Sequence, residues 1–160
     1  MKILFAVALS CLAASAALAQ EQLKPAQPVE AKAMTQDLSD IMVATQIRHL
    51  KLSYAGTNEN WPLAAFEVGR IRRSFDAAAK FYPIFGQVPV ADLIAKFSEP
   101  ALVAASKAIA EKNSAGFLKA FGQLTEACNA CHQTAGVGFI KIKAPTASPF
   151  SNQVFAPAAK

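Results

Sequence analysis

Phe117, Phe121, Leu124, Cys128 and Cys131 follow one another at steps of four, three, four and three. That is the helical repeat, so the five residues lie along one stripe of a helix whose apolar face turns to a core. The stripe predicts a last helix that begins at an Asn113-Ser114 cap and is closed by Gly136 and Gly138. Two cysteines extend this core-facing seam, and His132 directly follows the second. Residues three and four apart share a helix face. Two thiols and an imidazole therefore project from one side of the helix, and the rest of the chain must leave room for whatever they hold.

The remaining sequence reads as three more helical blocks. The first begins near Ala31 and carries Leu38, Met42, Thr45, His49 and Leu52 on one stripe. Val43, Ile47, Leu50 and Tyr54 make a second stripe beside it, and Gly56-Thr57-Asn58 is the expected stop. Asn60 can cap the next helix with Pro62 tolerated in its first turn. Its stripe is Ala64, Val68, Ile71, Phe75, Ala78 and Tyr82, ended by Pro83 and Gly86. A third block starts near Pro89 with Val90, Leu93, Ile94 and Phe97. Pro100 should interrupt it, because proline removes a backbone bond and disfavours helix at Glu99. A further piece, Ala101 to Lys112, follows the break. No strand run of convincing length and no internal repeat is present. The expected fold is all-α, an antiparallel four-helix bundle over residues 31–136. An irregular C-terminal tail, 137–160, should pack back through Phe139, Phe150 and Phe155.

Residues 1–19 have a different character. Lys2 precedes an apolar run from Ile3 to Ala16, and Ala17-Leu18-Ala19 offers small residues for cleavage. This predicts a secretory signal peptide cut after Ala19 and export to the periplasm. The apolar run is too short to span a bilayer and has no second partner downstream, so no stable membrane anchor is expected. Cys11 sits in mid-run behind Ala8 rather than a leucine, which argues against a lipoprotein. Residues 20–30, polar with two prolines, read as a flexible leader. Cleavage removes Lys2 and no acid, so the net charge falls from +5 to +4. No Lys/Arg run with interleaved aromatics exists, which excludes a nucleic-acid partner.

After cleavage Cys128 and Cys131 are the remaining cysteines, in an oxidising compartment. A bridge between residues three apart closes too small a loop to stabilise much. A thiol-disulfide motif usually follows a strand, and here a helix precedes. A zinc site needs about four ligands, and His49 is far in sequence from His132. Cys-x-x-Cys-His is the attachment signal for c-type haem. Cys128 and Cys131 would each form a thioether with one vinyl group, and His132 would ligate the iron from the same side. One covalent haem c is the expected cofactor.

The second axial ligand is open. Met34, Met42 and His49 are the candidates. Met42 and His49 lie two turns apart, roughly 10 Å, so one iron cannot use both. If the last helix runs antiparallel to the first, the level of the motif favours Met42, then Met34, over His49. Each has a plain alternative: core filling for a methionine, and a packed, hydrogen-bonded histidine for His49. The axial position can also be vacant. Arg48, Arg70, Arg72 and Arg73 are candidates to neutralise propionates, or simply a solvated basic face. Trp61 and Tyr54 are candidates for pocket walls, and equally for ordinary packing.

With CNACH at residues 128 to 132 in the last helix of an exported helical chain, the sequence resembles the cytochrome c′ family and its low-spin relatives. The likeness covers roughly residues 31 to 135. It implies a four-helix bundle, often a homodimer, with one covalent haem and His132 as proximal ligand. The family commonly has a basic residue shortly after the histidine, where this chain has QTAGVG, and the tail is extra. The stretches QIRHLKLSYAG and NWPLAAFEVGRI look like those of uncharacterised exported bacterial cytochromes with the same layout.

Three functions follow from these residues. A periplasmic electron carrier would use a Met/His-ligated haem of raised potential and dock an acidic redox partner by a steered encounter. A gas-binding protein would take nitric oxide or carbon monoxide at a vacant axial position. A peroxidase would need polar groups around bound peroxide. Arg48 and His49 are the candidate pair, but consecutive helix residues point about 100° apart. The expected role is electron carrier rather than enzyme.

Overall fold

The structure, a computed structural model, describes residues 36–158. The expected signal peptide, the leader and Met34 lie outside the described residues. Those described are all-α, with no helix long and apolar enough to cross a membrane. Helix α1 spans Leu38–Thr57, α2 Trp61–Phe81, α3 Val90–Leu93, α4 Glu99–Ala110 and α5 Ser114–Thr134. A π-helical turn, Ile94–Ser98, joins α3 to α4.

Local chemistry explains most of the boundaries. Asp37 has an extended ψ of 152° and its side chain accepts from the Ser39 N–H, so α1 begins at Leu38; the expected start near Ala31 lies outside the described residues. Asn60 and Asn113 cap α2 and α5, accepting from the N–H groups of Leu63 and Gly116. Three helices end in the same pattern of crossed bonds. After α1, the N–H groups of Asn60 and Glu59 donate back to the carbonyls of Ala55 and Gly56. Asn113 and Lys112 repeat this after α4, and Val137 and Gly136 after α5. The pivot residue is left-handed each time: Glu59 at φ 55°, Lys112 at 51° and Gly136 at 77°.

Helix α1 ends within the expected Gly56-Thr57-Asn58 stop, at Thr57 with Asn58 as its C-cap, and Gly56 itself lies in the last turn. It is buried, and a Cβ there would overlap the ring of Phe117 on α5. This close approach fixes where α1 crosses α5. Gly56 meets Phe117 and His49 meets Thr125, so the two helices run in opposite directions. Helix α1 packs chiefly on α2, and α4 on α5, with α2–α4 and α1–α5 contacts joining the pairs.

The core gathers Leu52 and Ala55 of α1, Ile71 and Phe75 of α2, Leu102 and Ile109 of α4, and Phe117, Phe121 and Leu124 of α5. The second α1 stripe is not part of it. Val43 is 56% exposed and Ile47 42% exposed, because α2 packs instead on the face carrying Ile41 and Ala55. Pro100 also departs from expectation. Glu99 is helical, at φ −62° and ψ −44°, and its N–H donates to Ile94, one residue further back than in an α-helix. The wider turn takes up the proline, whose ring would clash with an ordinary helical carbonyl, and the helix continues.

Two irregular segments finish the unit. Gly86, at φ 63°, turns the α2–α3 connection so that Phe85 and Val88 exchange both backbone bonds. In the tail, Phe155 is buried against Tyr54 with ring centroids 5.3 Å apart. Its carbonyl accepts from Asn60, and Lys51 lies over Phe150. Phe139 is 82% exposed and does not help to pin the tail, because the turn after Gly136 points it outward.

Candidate functional site

The small and polar residues that continue the α1 and α5 stripes past the aromatic core leave a cavity of about 490 Å³. Its walls are the first half of α1, the α3 region, the end of α5 and the tail. Cys128, Cys131 and His132 line one wall, and Met42 and His49 line another. Phe75, Leu93, Ile94, Val137, Ile140 and Ile142 make most of the remainder apolar. The volume falls within the range of cofactor and small-molecule sites.

The cysteines are free and half-buried. Burial, and then the neighbouring Cys131, push the Cys128 thiol up to about 11. Burial also raises Cys131. Exchange catalysts work through a stabilised thiolate, so these thiols are placed for the opposite. Nor do they form a direct metal site: among the described residues no cluster of three or more His, Cys, Asp or Glu side chains can hold a metal ion. Cys128, Cys131 and His132 stand around a cavity rather than converging on a point.

His132 Nδ1 lies 2.9 Å from the Ile140 carbonyl oxygen. A carbonyl only accepts, so Nδ1 carries the proton and Nε2 keeps its lone pair. This is the arrangement that orients a histidine for metal ligation. His49 is in the reverse state. The Thr125 hydroxyl donates to the Phe121 carbonyl at 3.0 Å. It then accepts from His49 Nε2–H at 2.9 Å, which leaves the lone pair on Nδ1. The ring packs on Phe121 with centroids 4.4 Å apart. Burial pulls its pKa down to about 4, so the ring is neutral.

The arginines sit elsewhere. None of Arg48, Arg70, Arg72 and Arg73 lines the cavity. Arg48 pairs with the almost wholly buried Glu67 at 3.3 Å, and Arg72 pairs with Glu99. Both bonds tie α2 to a neighbouring helix. Trp61 stands edge-on to Phe117, 6.3 Å between centroids, and neither Trp61 nor Tyr54 lines the cavity. They pack the opposite end of the molecule.

Sequence reasoning missed four contributors. Thr125 holds His49; its signal is a polar residue one turn before Cys128. Asn129, within the cysteine motif, bonds the tail at Ile142. Ile140 and Ile142 line the cavity, and their alternation with Lys141 and Lys143 was visible in a segment read as tail. No family model, curated protein or solved structure matches the chain.

Proposed function

We propose that the chain is an exported mono-haem c-type cytochrome that transfers electrons in the periplasm, built as an antiparallel four-helix bundle of the cytochrome c′ kind. One observation carries the reading. Cys128, Cys131 and His132 share the wall of one apolar cavity, and the Ile140 carbonyl leaves the Nε2 lone pair of His132 free. The residues fit the group. Two unpaired thiols are available for thioether bonds, an imidazole of defined tautomer for the iron, and apolar walls for the macrocycle. When bound, haem supplies a one-electron couple whose potential the axial ligands and surrounding dielectric set.

Each residue has a part. Cys128 and Cys131 would hold the cofactor covalently, and His132 would ligate its iron. Met42 would be the second ligand, because it also lines the cavity while His49 is engaged by Thr125 and Phe121. Apolar walls around the cofactor would keep reorganisation on electron transfer small. Arg48, held by Glu67, gives no partner to His49 for peroxide chemistry. The net positive charge suits an acidic redox partner.

A second reading has its own support. Met42 is the only methionine of the described residues that lines the cavity, so a thioether that stops short of the iron would leave an axial position open to nitric oxide or carbon monoxide. Absorption spectra decide between the two. The protein, made in a host with working cytochrome maturation, should be low-spin, and Met42→Ala should convert it to high-spin. A high-spin wild type whose reduced form takes up carbon monoxide rapidly would establish gas binding instead. A mass equal to the bare polypeptide would end both readings.

A further inference from the structure

The chain beyond α5 doubles back across the cavity and is held at two places. The Asn129 carboxamide forks onto the backbone of one tail residue: Nδ2 donates to the Ile142 carbonyl at 2.9 Å, and the Ile142 N–H donates to Oδ1 at 2.8 Å. Two residues earlier, the Ile140 carbonyl receives His132 Nδ1–H. The intervening chain is tied by Val137 N–H to the His132 carbonyl and Ile140 N–H to the Val137 carbonyl, both at 2.9 Å.

The partner of His132 is thus a carbonyl on irregular chain, and Ile140 is itself 45% exposed. The turn bonds through Val137 bring that carbonyl to the ring but do not hold the chain that follows it. The Asn129 fork holds that chain by taking both the donor and the acceptor of Ile142, and with the alternation of Ile140 and Ile142 against Lys141 and Lys143 it sets the register of the tail. A slip by one residue would bring the Lys141 carbonyl to His132 and turn lysine side chains toward the apolar cavity.

We infer that Asn129 is a positioning residue for His132: by clamping Ile142 it keeps the Ile140 carbonyl on Nδ1, and so sets the tautomer and the donor strength of Nε2. The inference rests on the haem reading of this site. An imidazole whose second nitrogen donates a hydrogen bond is the stronger ligand and favours oxidised iron, so the clamp lowers the reduction potential.

The test uses haem-loaded protein with Asn129→Ala, which loses both bonds, and Asn129→Asp, which keeps only the acceptor. Phe139→Ala, at an exposed ring of the same segment that does not line the cavity, serves as control. Three quantities are read: tryptic cleavage after Lys141 and Lys143, solvent exchange of the His132 Nδ1 proton by NMR in the reduced state, and midpoint potential. Cleavage and exchange should rise from wild type through Asp to Ala. Exchange in Asn129→Ala should be about tenfold faster, the equivalent of one net hydrogen bond, and its potential should be higher. Phe139→Ala should match wild type throughout. Faster cleavage with exchange and potential unmoved would show that Asn129 only anchors the tail, and would overturn the inference. So would three unchanged readings. If Asn129→Ala does not accumulate, Asn129→Asp decides by the exchange rate alone. A wild type without covalent haem, seen by mass, overturns the proposed function and this inference together; intact haem with unmoved readings overturns this inference only.

Discussion

The two ends of the α1–α5 contact start from the same helical stripe and reach opposite results. At one end Gly56 admits the Phe117 ring, which is fully buried, flanked by Trp61 and stacked on Phe121. At the other, Met42, Cys128, Cys131 and His132 line a cavity of about 490 Å³. His49 marks the boundary, packed on Phe121 yet lining the cavity. Side-chain volume accounts for the difference. A ring fills the gap between two helices where a glycine lets it in, whereas sulfur-bearing and small side chains at the same spacing do not.

That contrast can be broken most sharply at its packed end. Phe117→Ala should cost about 3–5 kcal/mol in urea unfolding, as for other buried phenylalanines. A loss near zero would mean that the α1–α5 crossing does not depend on this ring. The boundary is tested by pH. His49 has a folded pKa of about 4, below its ordinary value of 6.5. The folded state therefore resists protonation that the unfolded chain accepts. The associated stability is fully present above pH 6.5 and is lost as pH falls toward 4, by about 3 kcal/mol in all. His49→Leu should remove that segment of the pH profile; an unchanged profile would assign the acid sensitivity to other groups.

Smaller effects sharpen the comparison. Gly56→Ala should destabilise by about 1–3 kcal/mol through overlap with Phe117, although alanine is the better helix former. Gly122→Ala, on an open face of α5 with no neighbour within 4 Å of the added carbon, should instead stabilise by up to about 1 kcal/mol. Equal responses at the two glycines would remove the close approach as an explanation. Smallest of all, Phe139→Ala should lie within about 0.5 kcal/mol of wild type, since Phe139 is 82% exposed. A larger loss would mean that the tail uses this ring after all.

Which of these features could be read in advance follows from how far apart the interacting residues are. The Asn60 and Asn113 caps and the stripes of α2 and α5 were readable because each depends on residues within a turn. Val43 and Ile47 misled, since apolar periodicity marks two candidate faces on α1 and only the neighbouring helices choose between them. Gly56 was readable as part of the stop of α1 but not as the place where two helices touch, because glycine serves both uses. Pro100 misled because a local rule about proline takes no account of a π turn that neighbouring contacts stabilise. The donors of the candidate site were all visible by type, but their states were not. The free Nε2 of His132 and the engaged Nε2 of His49 depend on Ile140 and Thr125, which are 8 and 76 residues away.

Helical content, the capped starts of α2 and α5 and the run Cys128, Cys131, His132 on one helix face were determined by the amino-acid order alone, because bonds between residues three and four apart suffice to produce them. Tertiary structure decided which stripe of α1 is buried, where the core gives way to a cavity, and which nitrogen of each histidine carries the proton. Those outcomes depend on the volume and hydrogen-bonding groups that distant segments bring to the same place, and no local spacing contains that information.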